Sequence, residues 1–453
     1  MPTRTMNMIA SLRAQFQNGS DSPTALVERH IARVTDSAGE GSRAFISLDQ
    51  AAVKHAAEAS QQRVSAGNAR PLEGITLSIK DLFDVNAEVT GAGSTVLRSR
   101  PAATEDCPAV ARLRDAGAII FGRNNMVEFA YSGVGINPHF GTPRNVWGRR
   151  PDGGGRVPGG SSSGGGVAVA DGMAIAALGS DTGGSVRLPA ALNGVCGFKP
   201  TAVRVPVLGA IPLSVTLDSV GPIAQSVACC ARIDAVLAGE IYAPSPMRSL
   251  RGVRLLKPAS LIWRELDPEV EVSVNAAVEK LRAAGAEMVE MPLPLLDELF
   301  DRAGVSGAEA YDWHEANINV NGKGYDPRVW QRILAGRDVT RRAYAAMLAY
   351  RRFWIDRMNI ALTGFDAVIC PTVACIAPEI APLIANDALF FKTNTRILRN
   401  TAWVNFMDGC ALTMPCHPPG DAPVGLQLAG RHGQDHAILL LGMACEAAIS
   451  ATN

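Results

Sequence analysis

The 453-residue chain has no excess of either charge: 43 lysines and arginines balance 43 aspartates and glutamates. That balance argues against a nucleic acid held by bulk electrostatics. No uncharged apolar run reaches the roughly 18–20 residues that cross a bilayer. The opening residues, MPTRTMNMIASLRAQF, lack the apolar stretch of a secretory signal. A cytoplasmic protein with neither membrane nor nucleic-acid partner is therefore expected, and a homodimer is left open. The nine cysteines are odd in number and scattered, with one adjacent pair (Cys229-Cys230) and no CxxC. That pattern excludes a disulfide frame and reads as buried reduced thiols. The stretch HGQDH spaces His432 and His436 by four residues but lacks the glutamate of HExxH, and Gly433 weakens a helix there. A surface loop leading into a helix is expected, with no metal and no organic cofactor.

What the chain does have is a 47% hydrophobic content and a repeated alternation of helix and strand signals. Ser22-Pro23 before TALVERHIARV is a capped helix start with proline in the first turn. GITLSIKDLFDV, residues 74–85, is a β-rich run that breaks at Lys80-Asp81, so the lysine sits near a strand end. AVARLRDAGAIIFGRNN, residues 109–125, reads as a helix, a turn at Gly117 and a short buried strand. The alternation by itself favours an α/β sandwich with a mostly parallel sheet, and the fold class expected for the whole chain is α/β, one large α/β/α domain around a twisted mixed sheet. Residues 1–70 form its N-terminal helical region, 71–230 its core, 300–360 a helical cover and 361–453 the C-terminal part of the core. RRPDGGGR, residues 149–156, reads as a flexible glycine-rich loop.

The most unusual stretch is PGGSSSGGGVAVADGMAIAALGSDTGGSVRLPA, residues 158–190. Ser161 and Ser185 each follow a Gly-Gly pair there. A phosphate-binding loop would require GxxxxGK[ST], and no lysine follows these glycines. Plain turns between core elements do not explain why serines cluster with the glycines. Nucleophilic catalysis does, provided a base takes the serine proton. The seven histidines (His30, His55, His139, His314, His417, His432 and His436) lie in no recognisable triad context. GxSxG is absent around Ser185, and its match around Ser162 is weak in so glycine-rich a run. Lysine is the other base, since Ser-Lys pairs follow the same logic. SxxK is absent, but Lys80 lies among apolar Leu77, Ile79, Leu82 and Phe83. Burial there would let it lose its proton, which arginine cannot do near neutrality. Lys199 in GFKPT is the second choice, while Lys54, Lys280 and Lys323 look solvated. Cys196, in apolar GVCGF, reads as an inert thiol.

Residues 159–164 (GGSSSG) and 179–189 (GSDTGGSVRLP) resemble the amidase signature family over a long and specific motif. The likeness extends to LSIKDLFDV, to NNMVEFAYSGVGINPHFGTPRN (124–145) and to NGVCGFKPT (193–201). It continues through TLDSVGP (216–222), FDAVICPT (365–372) and PVGLQLAGR (423–431). The resemblance implies a Ser–cis-Ser–Lys triad of Ser185, Ser161 and Lys80. Ser185 would form an acyl-enzyme with a small-molecule amide and Ser161 would relay the proton to Lys80. The backbone amides of Thr182, Gly183, Gly184 and Ser185 would hold the oxyanion, and Ser162 would hydrogen-bond within the triad. Asp181 and Arg187 read as a structural pair across the turn. The 149–156 loop is longer than the family's usual one and is taken as a tolerated surface insertion.

The activity implied is an amidohydrolase acting on a carboxamide, aryl amide or ureide. The alternative is the glutaminase subunit of a tRNA-dependent amidotransferase. Substrate selection is expected from the cover, with Tyr311, Trp313 and Trp330 lining an apolar pocket bordered by Met126, Phe129 and Tyr131. Glu309, Asp312 or His314 would read a polar group.

Overall fold

Strand formation starts from short apolar runs that are buried on every residue. Thr76–Lys80 (β2) and Ala176–Asp181 (β4) expose none of their side chains. A strand buried on both faces needs cover above and below, as in α/β sheets. The computed structural model describes residues 7–244, 246–299, 304–318 and 322–451, and it holds one large mixed α/β domain. The remaining strands are Phe45–Ser47 (β1), Ile119–Asn124 (β3), Cys196–Lys199 (β5), Ser219–Ala224 (β6), Arg254–Pro258 (β7), Glu287–Met291 (β8), Ala367–Pro371 (β9), Cys410–Pro415 (β10) and Gly425–Gly430 (β11). They form an 11-stranded sheet in the order β1-β3-β2-β4-β6-β5-β10-β11-β9-β7-β8. Pairing is parallel at β3-β2-β4 and at β9-β7-β8, and antiparallel elsewhere.

The local signals are met where they were strongest. Ser22 accepts a hydrogen bond from the Ala25 N–H at 3.1 Å and opens the helix Pro23–Thr35 with proline at its first turn. The helix Pro108–Asp115 ends in a turn through Gly117 (φ 95°), where a Cβ would lie 2.8 Å from the Glu73 Cα, and β3 follows. Helices Val305–Ile318, Pro327–Leu334 and Arg341–Ala361 fall in the described part of the segment expected as a helical cover. Positions 300–303 and 319–321 of the expected cover lie outside the described residues.

One expectation changes. The 149–156 loop is tied down: Arg149 pairs with Asp171 at 2.8 Å and Arg150 with Glu379 at 2.9 Å. Arg156 stacks on Trp147 and donates to the Ala377 carbonyl at 2.7 Å. Its arginines fix what its glycines would leave free, so it is pinned to the domain surface. None of the nine cysteines is in a disulfide, and all are buried.

Candidate active site

The parallel pair β2-β4 brings together residues 100 positions apart. Lys80 ends β2 with its side chain fully buried. Its Nζ lies 2.7 Å from Ser161 Oγ, 2.8 Å from Ser180 Oγ and 3.4 Å from the Ser180 carbonyl on β4. Burial pulls the Lys80 ammonium down to about 7, against the opposing pull of the Asp218 and Asp181 carboxylates. A group that ionises there is half neutral near pH 7 and can take a proton.

Ser161 follows a cis Gly160–Ser161 peptide, and its carbonyl accepts from the Val127 N–H at 3.0 Å. Gly159 (φ 75°) packs so tightly on the helix Arg187–Leu192 that a Cβ would lie 3.0 Å from the Pro189 backbone. The helix Ser163–Ala170 starts two residues later. Ser185 sits in the turn between β4 and Arg187–Leu192, and its carbonyl accepts from the Ser162 N–H at 3.3 Å. The two serine segments are thus joined backbone to backbone. The Ser185 hydroxyl has no hydrogen-bond partner among the described residues.

Beneath this turn Asp181 and Arg187 form a fully buried pair. Arg187 Nε and Nη2 donate to the carboxylate at 3.0 and 2.9 Å. The remaining guanidinium hydrogens go to the Thr401 carbonyl, Gln427 and Asn405. Burial alone would raise the Asp181 carboxyl, but the charge and hydrogen bonds of Arg187 hold it well below the usual carboxylate range. This is the structural pair expected.

One of the expected roles needs correction. Gly184 is not free to serve an oxyanion, because its N–H donates to Asp181 Oδ1 at 2.8 Å. The carbonyl at the other end of the same peptide, that of Gly183, accepts from Thr401 Oγ1 at 2.6 Å. The peptide is held at both ends, and Gly184 (φ 133°) is required where a Cβ would lie 2.2 Å from Thr401 Oγ1. The N–H groups of Gly183 and Ser185 have no acceptor among the described residues. Ser162 meets the expected triad through its backbone N–H on the Ser185 carbonyl, while its buried hydroxyl is without a partner among the described residues and lies over Gly179.

Residues that sequence reasoning missed surround this centre. The Thr182 hydroxyl donates to Asp218 Oδ1, and the Leu213 and Ser214 N–H groups donate to Oδ2 at 3.0 and 3.1 Å. Burial pushes the Asp218 carboxyl up to about 6, opposed by these bonds and by Lys80. TLDSVGP carried the resemblance, but nothing local in it tells an aspartate facing a lysine from one closing a turn.

The expected pocket residues divide. Phe129, Trp313 and Trp330 belong to one aromatic group with His314 and Tyr325: Phe129 stacks on Tyr325 at 5.3 Å and meets His314 edge-on at 4.5 Å. Phe129 and Ala130 (φ 48° and 61°) hold left-handed backbone that β-carbon residues rarely adopt, a kind of strain that clusters at functional sites. Met126 is fully buried beneath Gly93 and is core. Tyr311 turns its hydroxyl to Glu315 on the exposed side of its helix and stands apart from the group. Asp312 is exposed. Glu309 is taken up by Ser214, Thr216 and Tyr344, and His314 by the Tyr325 hydroxyl at 3.0 Å.

Tyr131 has a different neighbour. The Arg332 guanidinium lies 5.0 Å over its ring and donates to its carbonyl, and the buried Tyr131 hydroxyl has no partner among the described residues. Arg332 has no ion-pair partner among the described residues. Two residues along, the Gly133 carbonyl accepts the Gly160 N–H at 2.8 Å, so this wall abuts the Gly160–Ser161 peptide.

Other candidates fall outside the centre. Lys199 Nζ is held by the Pro200 and Gly409 carbonyls at 2.7 Å each. His432 pairs with Asp408 at 3.0 Å, and no group of three or more potential metal ligands occurs among the described residues. A surface cavity of about 670 Å³, lined in part by Ile136, Gly153–Gly155 and Arg328, includes none of Lys80, Ser161 and Ser185.

The site thus sets a buried lysine on a serine hydroxyl, beside a glycine-lined serine turn. The amidase family profile matches residues 25–439, and the chain belongs to that family as an amidase-signature hydrolase. It is 35% identical over 415 residues to a 2-amino-5-chloromuconic acid deaminase from Comamonas testosteroni, covering 90% of this chain and 88% of the relative. A glutamyl-tRNA(Gln) amidotransferase subunit from Roseiflexus castenholzii is 31% identical over 480 residues, covering 96% of this chain and 94% of the relative. A crystal structure of an amidase superposes with a TM-score of 0.84 at 33% identity, covering 97% of this chain and 99% of that one.

Proposed function

We propose that this protein hydrolyses the C–N bond of a small amide bearing a carboxylate, through an acyl-enzyme on Ser185, releasing ammonia or an amine. The observation that carries the reading is the fully buried Lys80 amine, 2.7 Å from Ser161 Oγ and joined through that segment to Ser185. Ser185 Oγ attacks the carbonyl carbon while its proton passes to Ser161 and the Ser161 proton to Lys80. The tetrahedral oxyanion lies against the backbone N–H groups of Thr182, Gly183 and Ser185. Such donors act in place, without reorganisation, as charge develops. Lys80 returns its proton through Ser161 to the leaving nitrogen, the C–N bond breaks, and water attacks the ester by the same route in reverse.

Arg332 supports the substrate class. A guanidinium without a carboxylate partner among the described residues, stacked on Tyr131 beside an unsatisfied hydroxyl, is built to receive a planar anion. The relative from Comamonas testosteroni is named for a diacid. Glutamine also carries a carboxylate, so the likeness to the amidotransferase protein supports glutaminase as the second reading.

The test is ammonia release by the purified chain alone. The panel holds amides with and without a carboxylate, glutamine, and a 2-amino diacid. Release confined to carboxylate-bearing amides and lost in Ser185→Ala is expected. Release preferring neutral amides would remove the role of Arg332, and release surviving Ser185→Ala would remove the mechanism. Release from glutamine alone would move the assignment to the second reading, and release from the 2-amino diacid alone would move it to deamination.

A further inference from the structure

We propose that Ser180 is a positioning residue that turns the lone pair of the Lys80 amine toward Ser161. The inference rests on the Lys80–Ser161–Ser185 reading above and deepens it. A charged ammonium has three hydrogens, and three oxygens surround this Nζ: Ser161 Oγ, Ser180 Oγ and the Ser180 carbonyl. A neutral amine, the form a general base needs, has two hydrogens and one lone pair. The Ser180 carbonyl can only accept and takes one N–H. The second N–H and the lone pair are then divided between the two hydroxyls. When Ser180 Oγ accepts, the lone pair faces Ser161 and can receive its proton. When Ser161 Oγ accepts, the lone pair faces Ser180 and proton transfer from Ser161 is blocked.

The surroundings suit the first arrangement. Ser180 is buried on β4, registered opposite Val220 of β6, so its oxygens are carried by the sheet and not by a loop. The charged groups that act on Lys80 are Asp218 and Asp181, and Asp181 is already neutralised by Arg187. Neither carboxylate hydrogen-bonds Nζ, which leaves its orientation to the two serines. In the sequence Ser180 is masked because GSDTGGS draws attention to the glycines and the last serine.

The test compares Ser180→Ala and Ser180→Thr with wild type over a pH series, with Ser185→Ala as the separate control on the mechanism. Removing the hydroxyl is expected to lower kcat by roughly ten- to a hundredfold, within the span of a general base, with KM unchanged. Because the lost oxygen also accepted from the ammonium, the acid limb of kcat moves to lower pH. Threonine restores the hydroxyl and most of the rate. Wild-type or higher kcat in Ser180→Ala overturns the proposal, as does a low rate that threonine leaves unrestored. Should the alanine variant fail to fold, Ser180→Cys, nearly isosteric and a poor acceptor, is read in the same way. Activity surviving in Ser185→Ala would instead strike the underlying mechanism, so the two failures are distinct.

Discussion

Replacing Lys80 by methionine should abolish activity and yet stabilise the protein at neutral pH. An exposed lysine ionises at 10.5, and burial brings Lys80 down to about 7. At about 1.4 kcal/mol per pH unit, that separation costs the folded state on the order of 5 kcal/mol. The penalty is full below pH 7, where the buried amine is charged. It declines as pH rises from about 7 to 10.5, because there the unfolded chain binds the proton that the folded one has lost. Methionine has a similar unbranched shape and no charge, but it leaves Ser161 and Ser180 without their partner, at about 1–3 kcal/mol. The net gain at pH 7 is therefore about 2–4 kcal/mol. Chemical denaturation of both proteins at pH 7 and pH 9.5 reads it directly. The advantage of Lys80→Met at pH 7 should shrink or reverse at pH 9.5. A variant less stable than wild type at pH 7, or a difference that ignores pH, would refute the argument that Lys80 is held at a cost.

Four further outcomes follow from the site. Because Lys80 must be neutral to accept a proton, kcat/KM should rise with pH through about 7 and then level, as a stopped-rate pH series would show. Asp218→Asn removes a carboxylate that favours the Lys80 ammonium, so the same limb should move to lower pH; a shift to higher pH would contradict the electrostatic reading. Arg332→Met should raise KM for a carboxylate-bearing amide by roughly ten- to a hundredfold, the worth of a hydrogen bond to a charged group, and leave a neutral analogue unaffected. Asp181→Asn leaves Arg187 charged and buried without its partner and should cost about 3–5 kcal/mol in a denaturation experiment.

Much of the fold was legible because its local signals agree with one another. Ser22-Pro23 marked a helix start, Gly117 a turn, and the apolar run into Lys80 a strand end, and each holds its place in the structure. The glycine-serine stretch and Lys80 stood out for the same reason: burying a lysine or crowding glycines at turns is costly unless something requires it. What stayed hidden depends on contacts across long sequence separations. The loss of Gly184 as a free donor is decided by Asp181 and by Thr401, 218 residues from the Gly183 carbonyl it holds. Tyr131 reaches Arg332 across 201 residues, and no periodicity announces an arginine lacking an acid partner. The same holds for Met126, whose place in the core is fixed by packing against distant residues and not by its own neighbours in sequence.

The most direct test of the central claim is intact-protein mass spectrometry of an acid-quenched turnover mixture with a carboxylate-bearing amide. The account predicts a species heavier by the acyl group, mapping to the peptide that contains Ser185 and absent from Ser185→Ala. Sustained ammonia release by Ser185→Ala, or an acyl group carried on any other residue, would contradict it.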